Sequence, residues 1–302
     1  MKKKIIVSGL LNIETTVRVK GFPINYYPID FPFFGVNSNI SGVGCNIAKA
    51  MTTLGDEVEL VSYLGKDDEA QRVLNDLNNY GIRTDSISRC LKNTPASVIL
   101  FDPEGRRQIY CDLKDIQEKS VDPASMKASM ESADLAILCN INFNRELFKA
   151  VRSYDIPVAT DVHVLSNIDD DYNRDFMQNS DILFLSDEKL SCPPEEFIRK
   201  LYDRYHNKVI VIGMGEKGAL LLDSEKDRLI EIPAFTAGNI VNTVGAGDAL
   251  FSSFLHYYIK GLSAEDALKR AVVFAGIKIG FNGASLGFAD EKELEKHFAQ
   301  EG

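Results

Sequence analysis

The sequence predicts an α/β fold: a mostly parallel β-sheet flanked by helices in three layers, with a small β-sheet set apart from it. Three observations carry this. Short β-branched apolar runs without polar alternation recur along the chain, as strands buried on both faces require. Stretches of helical type separate most of these runs, and alternating strands and helices build a parallel sheet with helices on both sides. Two segments break the rhythm by alternating apolar and polar residues around Pro and Gly turns, the pattern of half-exposed antiparallel strands.

The first strand is KIIVSGLL (4–11), ending at Asn12. The first interrupting segment (14–38) follows, then a Gly-rich entry to a helix, SGVGCNIAKAMTTLG (41–55), which Gly55 closes as a C-terminal glycine does. EVELVSYLG (57–65) is a strand and DEAQRVLNDLNNYG (68–81) a helix. The second interrupting segment, TPASVILFDPEGRRQIYCD (94–112), joins the first in one accessory sheet, made from insertions at about 12–41 and 93–113 within a single domain of 302 residues. Strands return at 134–140, 156–162, 181–186 and 208–215, with a helix at 195–206. ALLLDSEKDRLIEIPAF (219–235) reads as a hairpin, and helices start near 246, 263 and 290. Ligands of such sheets sit beyond the carboxyl ends of the strands, so residues just after strands carry most functional weight.

Composition narrows the function. A hydrophobic content of 45% supports a sizeable core, and a net charge of −10 argues against nucleic acid or an anionic membrane as partner. The five cysteines are scattered without CxxC spacing, which suggests neither a disulfide framework nor a zinc site and fits a reducing cytoplasm. Asn12 and Glu14 interrupt the apolar start before it resembles a secretory signal, and no span approaches the ~18 apolar residues of a membrane helix. The four histidines show no ligand spacing and read as surface or core residues.

NTVGAGDALFSSF (242–254) concentrates the chemistry. If a helix begins near Ala246, the first backbone N–H groups are unsatisfied and carry the positive end of the helix dipole, a place for an anion. Glycine at 245 and 247 lets the main chain approach a ligand. No Lys-Ser/Thr follows, so this is not a Walker-type loop, and no GxGxxG follows the first strand to favour a dinucleotide. Asp248 beside an anion pocket suits a base that takes a proton from an attacking hydroxyl; the same residues also suit a tight turn whose acid favours the dipole.

GVGCNIAKAMTTLG early and NTVGAGDALFSSF late, with YLGKDDEA (63–70) and VIGMGEKGALLLD (211–223) between them, resemble the signatures of the ribokinase-like, or PfkB, family of carbohydrate and nucleoside kinases over essentially the whole chain. The resemblance implies a ribokinase-like core with a β lid, ATP and Mg²⁺. It makes Asp248 the catalytic base and Gly245, Ala246 and Gly247 the lining of the anion hole. It places the acceptor at Asn12, Glu14, Gly42, Gly44 and Asn46. The nucleotide falls to Ser186, Gly213, Gly215, Gly218, Thr243 and Asn282, with FNGAS (281–285) near the adenine. The implied reaction is phosphorylation of a hydroxymethyl group of a small sugar such as ribose or fructose, with a nucleoside as the alternative acceptor.

The chain departs from the pattern at several places. Glu14 stands where the family most often has aspartate. SDEK (186–189) replaces the usual Asn-x-x-Glu that helps organise Mg²⁺, leaving Asp187 or Glu188 to act through water. Asn242 stands where aspartate is common, which puts activation by a monovalent cation in question. The Phe274–Ala284 stretch looks shorter than usual. These changes keep open a relative that binds ligands without turnover. The aromatics of YYPIDFPFF (26–34) suit stacking on a nucleobase but are expected to pack in the lid, whose strand edge would serve a homodimer.

Overall fold

The computed structural model describes residues 2–299. Its strands are β1 (Lys4–Ser8), β2 (Asn12–Arg18), β3 (Val36–Ser41), β4 (Glu57–Leu64), β5 (Ile87–Arg89), β6 (Ala96–Phe101), β7 (Arg107–Asp112), β8 (Leu135–Leu138), β9 (Val158–Val164), β10 (Ile182–Ser186), β11 (Val209–Gly213), β12 (Ala219–Asp223) and β13 (Arg228–Ile232). The helices are α1 (Val43–Thr53), α2 (Asp68–Asn79), α3 (Lys127–Met130), α4 (Leu147–Arg152), α5 (Arg174–Asn179), α6 (Pro194–Tyr205), α7 (Ala246–Ile259), α8 (Ala264–Lys278) and α9 (Glu291–Ala299).

Nine strands form one sheet in the order β13-β12-β11-β10-β9-β8-β1-β4-β5, parallel except for the antiparallel β11–β12–β13 hairpins at one edge. Apolar side chains fill both faces. One layer packs α1, α2, α7, α8 and α9 against the sheet, and the other packs α3 to α6. The strand order reverses at β1, whose neighbours are β4 and β8. Asn144 pins those carboxyl ends together, donating to the carbonyls of Ser8 at 2.9 Å and Cys139 at 2.7 Å.

Local chemistry sets the helix ends. Asp67 caps α2 by accepting from the Ala70 N–H, and Ser263 caps α8 by accepting from the Asp266 N–H. Gly55 adopts the left-handed conformation just past α1.

The second sheet has the order β3-β2-β6-β7. Its two hairpins are antiparallel as expected, but the central β2–β6 pair is parallel. The cause is topological: β2 follows β1 and β6 follows β5, and those two strands run the same way in the main sheet. Side chains directly opposite across the ladders put Asn12, Glu14, Thr16, Asn39, Ser41 and Ser97 on one face, so the small sheet turns a polar surface toward the core. The 26–34 aromatics do not pack as expected: Tyr26 is 88% exposed and Phe34 fully exposed. The segment lies outside the strands, and its aromatic side chains stay exposed among the described residues.

Candidate active site

Helix α7 is apolar on nearly every side and buried from Ala249 to Tyr257, which fixes where its N-terminus points. Phe251 and Phe254 hold it against Phe184 of β10, with ring centroids 4.9 and 5.2 Å away. Gly245 starts the helix at φ 84°, and a Cβ there would lie 2.4 Å from the Ala284 carbonyl oxygen. Only glycine meets both demands. Asn242 accepts from the Val244 N–H at 2.9 Å and shapes the turn.

Among the described residues, the N–H groups of Gly245, Gly247 and Asp248 find no acceptor, and nothing stands within 4 Å of a Cβ built on Gly247. These free donors sit at the positive end of the dipole. Ala246 differs from expectation, because its N–H is spent on the Thr243 carbonyl at 3.2 Å inside the turn.

Asp248 projects from the first turn of α7 and accepts a 2.6 Å hydrogen bond from Asn46 Nδ2 of α1. Asn46 Oδ1 and Glu14 Oε2 both lie within reach of the Ser41 hydroxyl, at 3.2 and 2.9 Å. One hydroxyl proton serves one of them at a time. Asn12 donates to Ser97 at 3.0 Å. On this face Asn12 Oδ1, Glu14 Oε1 and Thr16 Oγ1 are buried atoms with no hydrogen-bond partner among the described residues.

Gly42 and Gly44 act here through backbone packing: Cβ atoms would meet the Leu10 carbonyl oxygen at 2.4 Å and Gly9 backbone at 2.7–2.9 Å. Their lack of side chains lets α1 press against the turn between β1 and β2, which brings Asn46 beside Glu14.

Burial raises Asp248 to about 6; the nearby His163 charge and the Asn46 bond pull it down, while Asp161 and Glu14 push it up. Its carboxyl group is enclosed by protein yet still reached by solvent along one side. Burial also raises Glu14, against the opposing effects of Ser41, the Ala284 backbone and Lys278.

Three residues join this group that the sequence did not single out. Asp161 and His163 stand at the carboxyl end of β9, with His163 Nδ1 3.4 Å from Asp161 Oδ2 and His163 at φ 59°. Burial opposes the charge on His163, but Asp161 outweighs it and raises the imidazole. His163 is the penultimate residue of β9, and the strand expected at 156–162 put it just beyond a strand end, where functional weight falls. The third is Lys278, fully buried at the end of α8.

Ser186 and Gly213 end the neighbouring strands β10 and β11 and are register partners. Gly215, at φ 57°, faces open space. Gly218 does not: a Cβ would meet the Ile232 carbonyl oxygen at 2.0 Å, so this glycine serves the fold-back of the β12–β13 hairpin. Thr243 is exposed, and Asn282 accepts from Asn242 Nδ2 at 3.0 Å. FNGAS divides, with Ala284 and Ser285 buried under the acceptor face, where Ser285 donates to the Ile40 carbonyl at 2.6 Å. Glu188 is half exposed and ion-paired at 3.0 Å with Arg107 of β7, a link from main sheet to small sheet. No group of three or more His, Cys, Asp or Glu forms a metal cage among the described residues. A cavity of about 610 Å³ between β3, α1 and α2 is lined by Asn39, Lys49, Asp76 and Ser285 and does not include Asp248.

The chain is 23% identical over 308 residues to a deoxyribokinase of Salmonella typhi, covering 98% of each. It is 26% identical over 283 residues to a ribokinase of Arabidopsis thaliana, covering 84% of this chain and 71% of that one. The ribokinase structure from Giardia lamblia superposes with a TM-score of 0.86 at 17% identity over the full length of both chains, a likeness of fold. No helix among the described residues is long and apolar enough to cross a membrane. Residues 2–291 match the pfkB family carbohydrate kinase model, so the chain belongs to the PfkB family and is a phosphotransferase of that family.

Proposed function

We propose that the chain moves the γ-phosphoryl group of ATP to a hydroxymethyl group of a small sugar of the ribose or fructose type. One observation carries the acceptor class: Asn12, Glu14 and Thr16 present buried acceptor atoms, unpartnered among the described residues, on a single strand face. A buried acceptor without a donor is costly, and the hydroxyl protons of a polyol supply donors at such spacing. The names of the deoxyribokinase and ribokinase relatives support the same class.

In this reading the acceptor hydroxyl approaches Asp248, whose carboxylate is oriented by Asn46 and takes the proton as the oxygen attacks. The free N–H groups of Gly245, Gly247 and Asp248 hold the charge of the transferring phosphoryl oxygens. Ser186, Gly213, Gly215, Thr243 and Asn282 line the nucleotide side. Gly42, Gly44 and Gly218 contribute by close packing instead of contact.

Mg²⁺ fits this donor set, because it keeps several waters and takes one or two carboxylates together with substrate phosphates. Glu188 would hold it through water, once released from Arg107. When bound, the ion neutralises charge on the phosphates. The small sheet acts as a lid within a single domain: Asn12 and Glu14 are nearly covered, so the acceptor enters as it moves. The protein works in the cytoplasm, and a lid edge offers a homodimer contact.

An ADP-release screen across pentoses, hexoses, inositols and nucleosides tests the proposal. Turnover of a pentose or hexose is expected; turnover confined to nucleosides overturns the sugar assignment.

A further inference from the structure

The largest wholly buried side chains include two lysines, Lys49 and Lys278. Lys49 has a carboxylate partner, Asp76 at 2.6 Å. Lys278 has none. Among the described residues its Nζ makes one hydrogen bond, donating to the Gly283 carbonyl at 2.8 Å. A buried charge without a paired counter-ion is costly and persists where something else depends on it. Burial pulls the ammonium down to about 8, opposed by Asp248 and Glu14, the carboxylates at the centre of the site. A lysine that merely satisfies the last carbonyls of a helix does so from the surface, with its head in water.

The loop held by Lys278 backs the anion turn. Gly283 precedes Ala284, whose carbonyl lies against Gly245. Asn242, which shapes that turn, is itself neutral. A fixed charge in a water-poor site acts on developing charge without reorganisation.

We propose that Lys278 is a built-in cation behind the anion turn, offsetting the negative charge gathered on Asp248, Glu14 and the transferring phosphoryl group, so that turnover needs no added monovalent cation. The proposal rests on the phosphotransferase reading above. Lys278 is a positioning residue, since its ammonium touches Gly283 and not the substrate.

Measurements on the full chain test it. Wild-type kcat in potassium chloride and in tetramethylammonium chloride at equal ionic strength should agree within about twofold. Lys278→Met, similar in shape without the charge, should lose about 10²-fold in kcat, the scale seen for removing one stabilising group at an anion hole, with a smaller change in KM for ATP. Lys278→Ala should regain part of that loss with added ethylammonium chloride. A readout independent of turnover is carboxyl NMR, in which Glu14 and Asp248 should titrate higher in Lys278→Met, by about one pH unit.

A wild type that requires potassium overturns the proposal. So does a folded Lys278→Met whose two carboxyls titrate as in wild type. If Lys278→Met fails to fold, the wild-type salt comparison still decides. If the wild type turns over no acceptor at all, the phosphotransferase reading fails, and the NMR titration judges the electrostatic role alone.

Discussion

Removing the side-chain amide of Asn46 should shift the acid limb of the pH–activity profile upward. Its Nδ2 donates to Asp248 at 2.6 Å, a bond that favours the ionised carboxylate. Hydrogen bonds to charged groups contribute about 1.5–3 kcal/mol. One pH unit corresponds to about 1.36 kcal/mol, so losing the bond lifts Asp248 by roughly one to two units. The starting point is about 6, raised from the ordinary 3.8 chiefly by burial and restrained by His163 and Asn46. A base must be ionised to accept a proton, so wild-type kcat/KM falls as pH drops through about 6. In Asn46→Ala the fall begins nearer pH ~7–8. The assay is kcat/KM by coupled ADP release across the pH range, with the acceptor identified in the screen. The height of the profile will drop as well, because Asn46 faces the acceptor pocket; the midpoint is the diagnostic quantity. An unmoved midpoint in a folded Asn46→Ala, or a wild type with no acid limb near pH 6, refutes the reasoning.

Asp248→Asn keeps the shape of the turn but cannot take the proton; turnover should fall about 10²-fold or more while ATP still binds by calorimetry, and undiminished turnover removes Asp248 as the base. Gly44→Ala and Gly247→Ala form a contrasting pair. The first places a Cβ 2.7 Å from Gly9 backbone and should lower thermal stability by displacing α1; the second meets nothing within 4 Å and should leave the melting temperature unchanged while weakening ATP turnover. If Gly247→Ala is fully active, its N–H does not face the phosphate. Hydrogen exchange should show β2, β3, β6 and β7 becoming protected together on acceptor binding, and protection of one hairpin alone argues against a common lid. Phe254→Ala, in the aromatic contact between α7 and β10, should cost about 3–5 kcal/mol in urea unfolding, and a loss well under 1 kcal/mol would contradict the packing described.

Much of the architecture was legible because it is encoded between near neighbours. The apolar run at 4–8 and its counterparts mark the buried strands, Gly55 marks the end of α1, and helices begin within a residue of the expected 246, 263 and 290. The turn at 245–248 was equally readable, since two glycines and an acid at a helix start are a local statement about anions and protons. What the tertiary structure decided depends on pairings that no local pattern records. Asn46 and Asp248 stand 202 residues apart, and their bond exists because α1 and α7 pack on one face of the sheet. The parallel β2–β6 pair follows from where β1 and β5 end, and the tie between Arg107 and Glu188 from where the two sheets meet. The aromatics at 26–34 read as packing residues by composition, yet they stay exposed among the described residues. Nothing in the local sequence sets Lys278 apart. Only the tertiary structure removes it from water, with its ammonium donating to the Gly283 carbonyl and feeling the charges of Asp248 and Glu14.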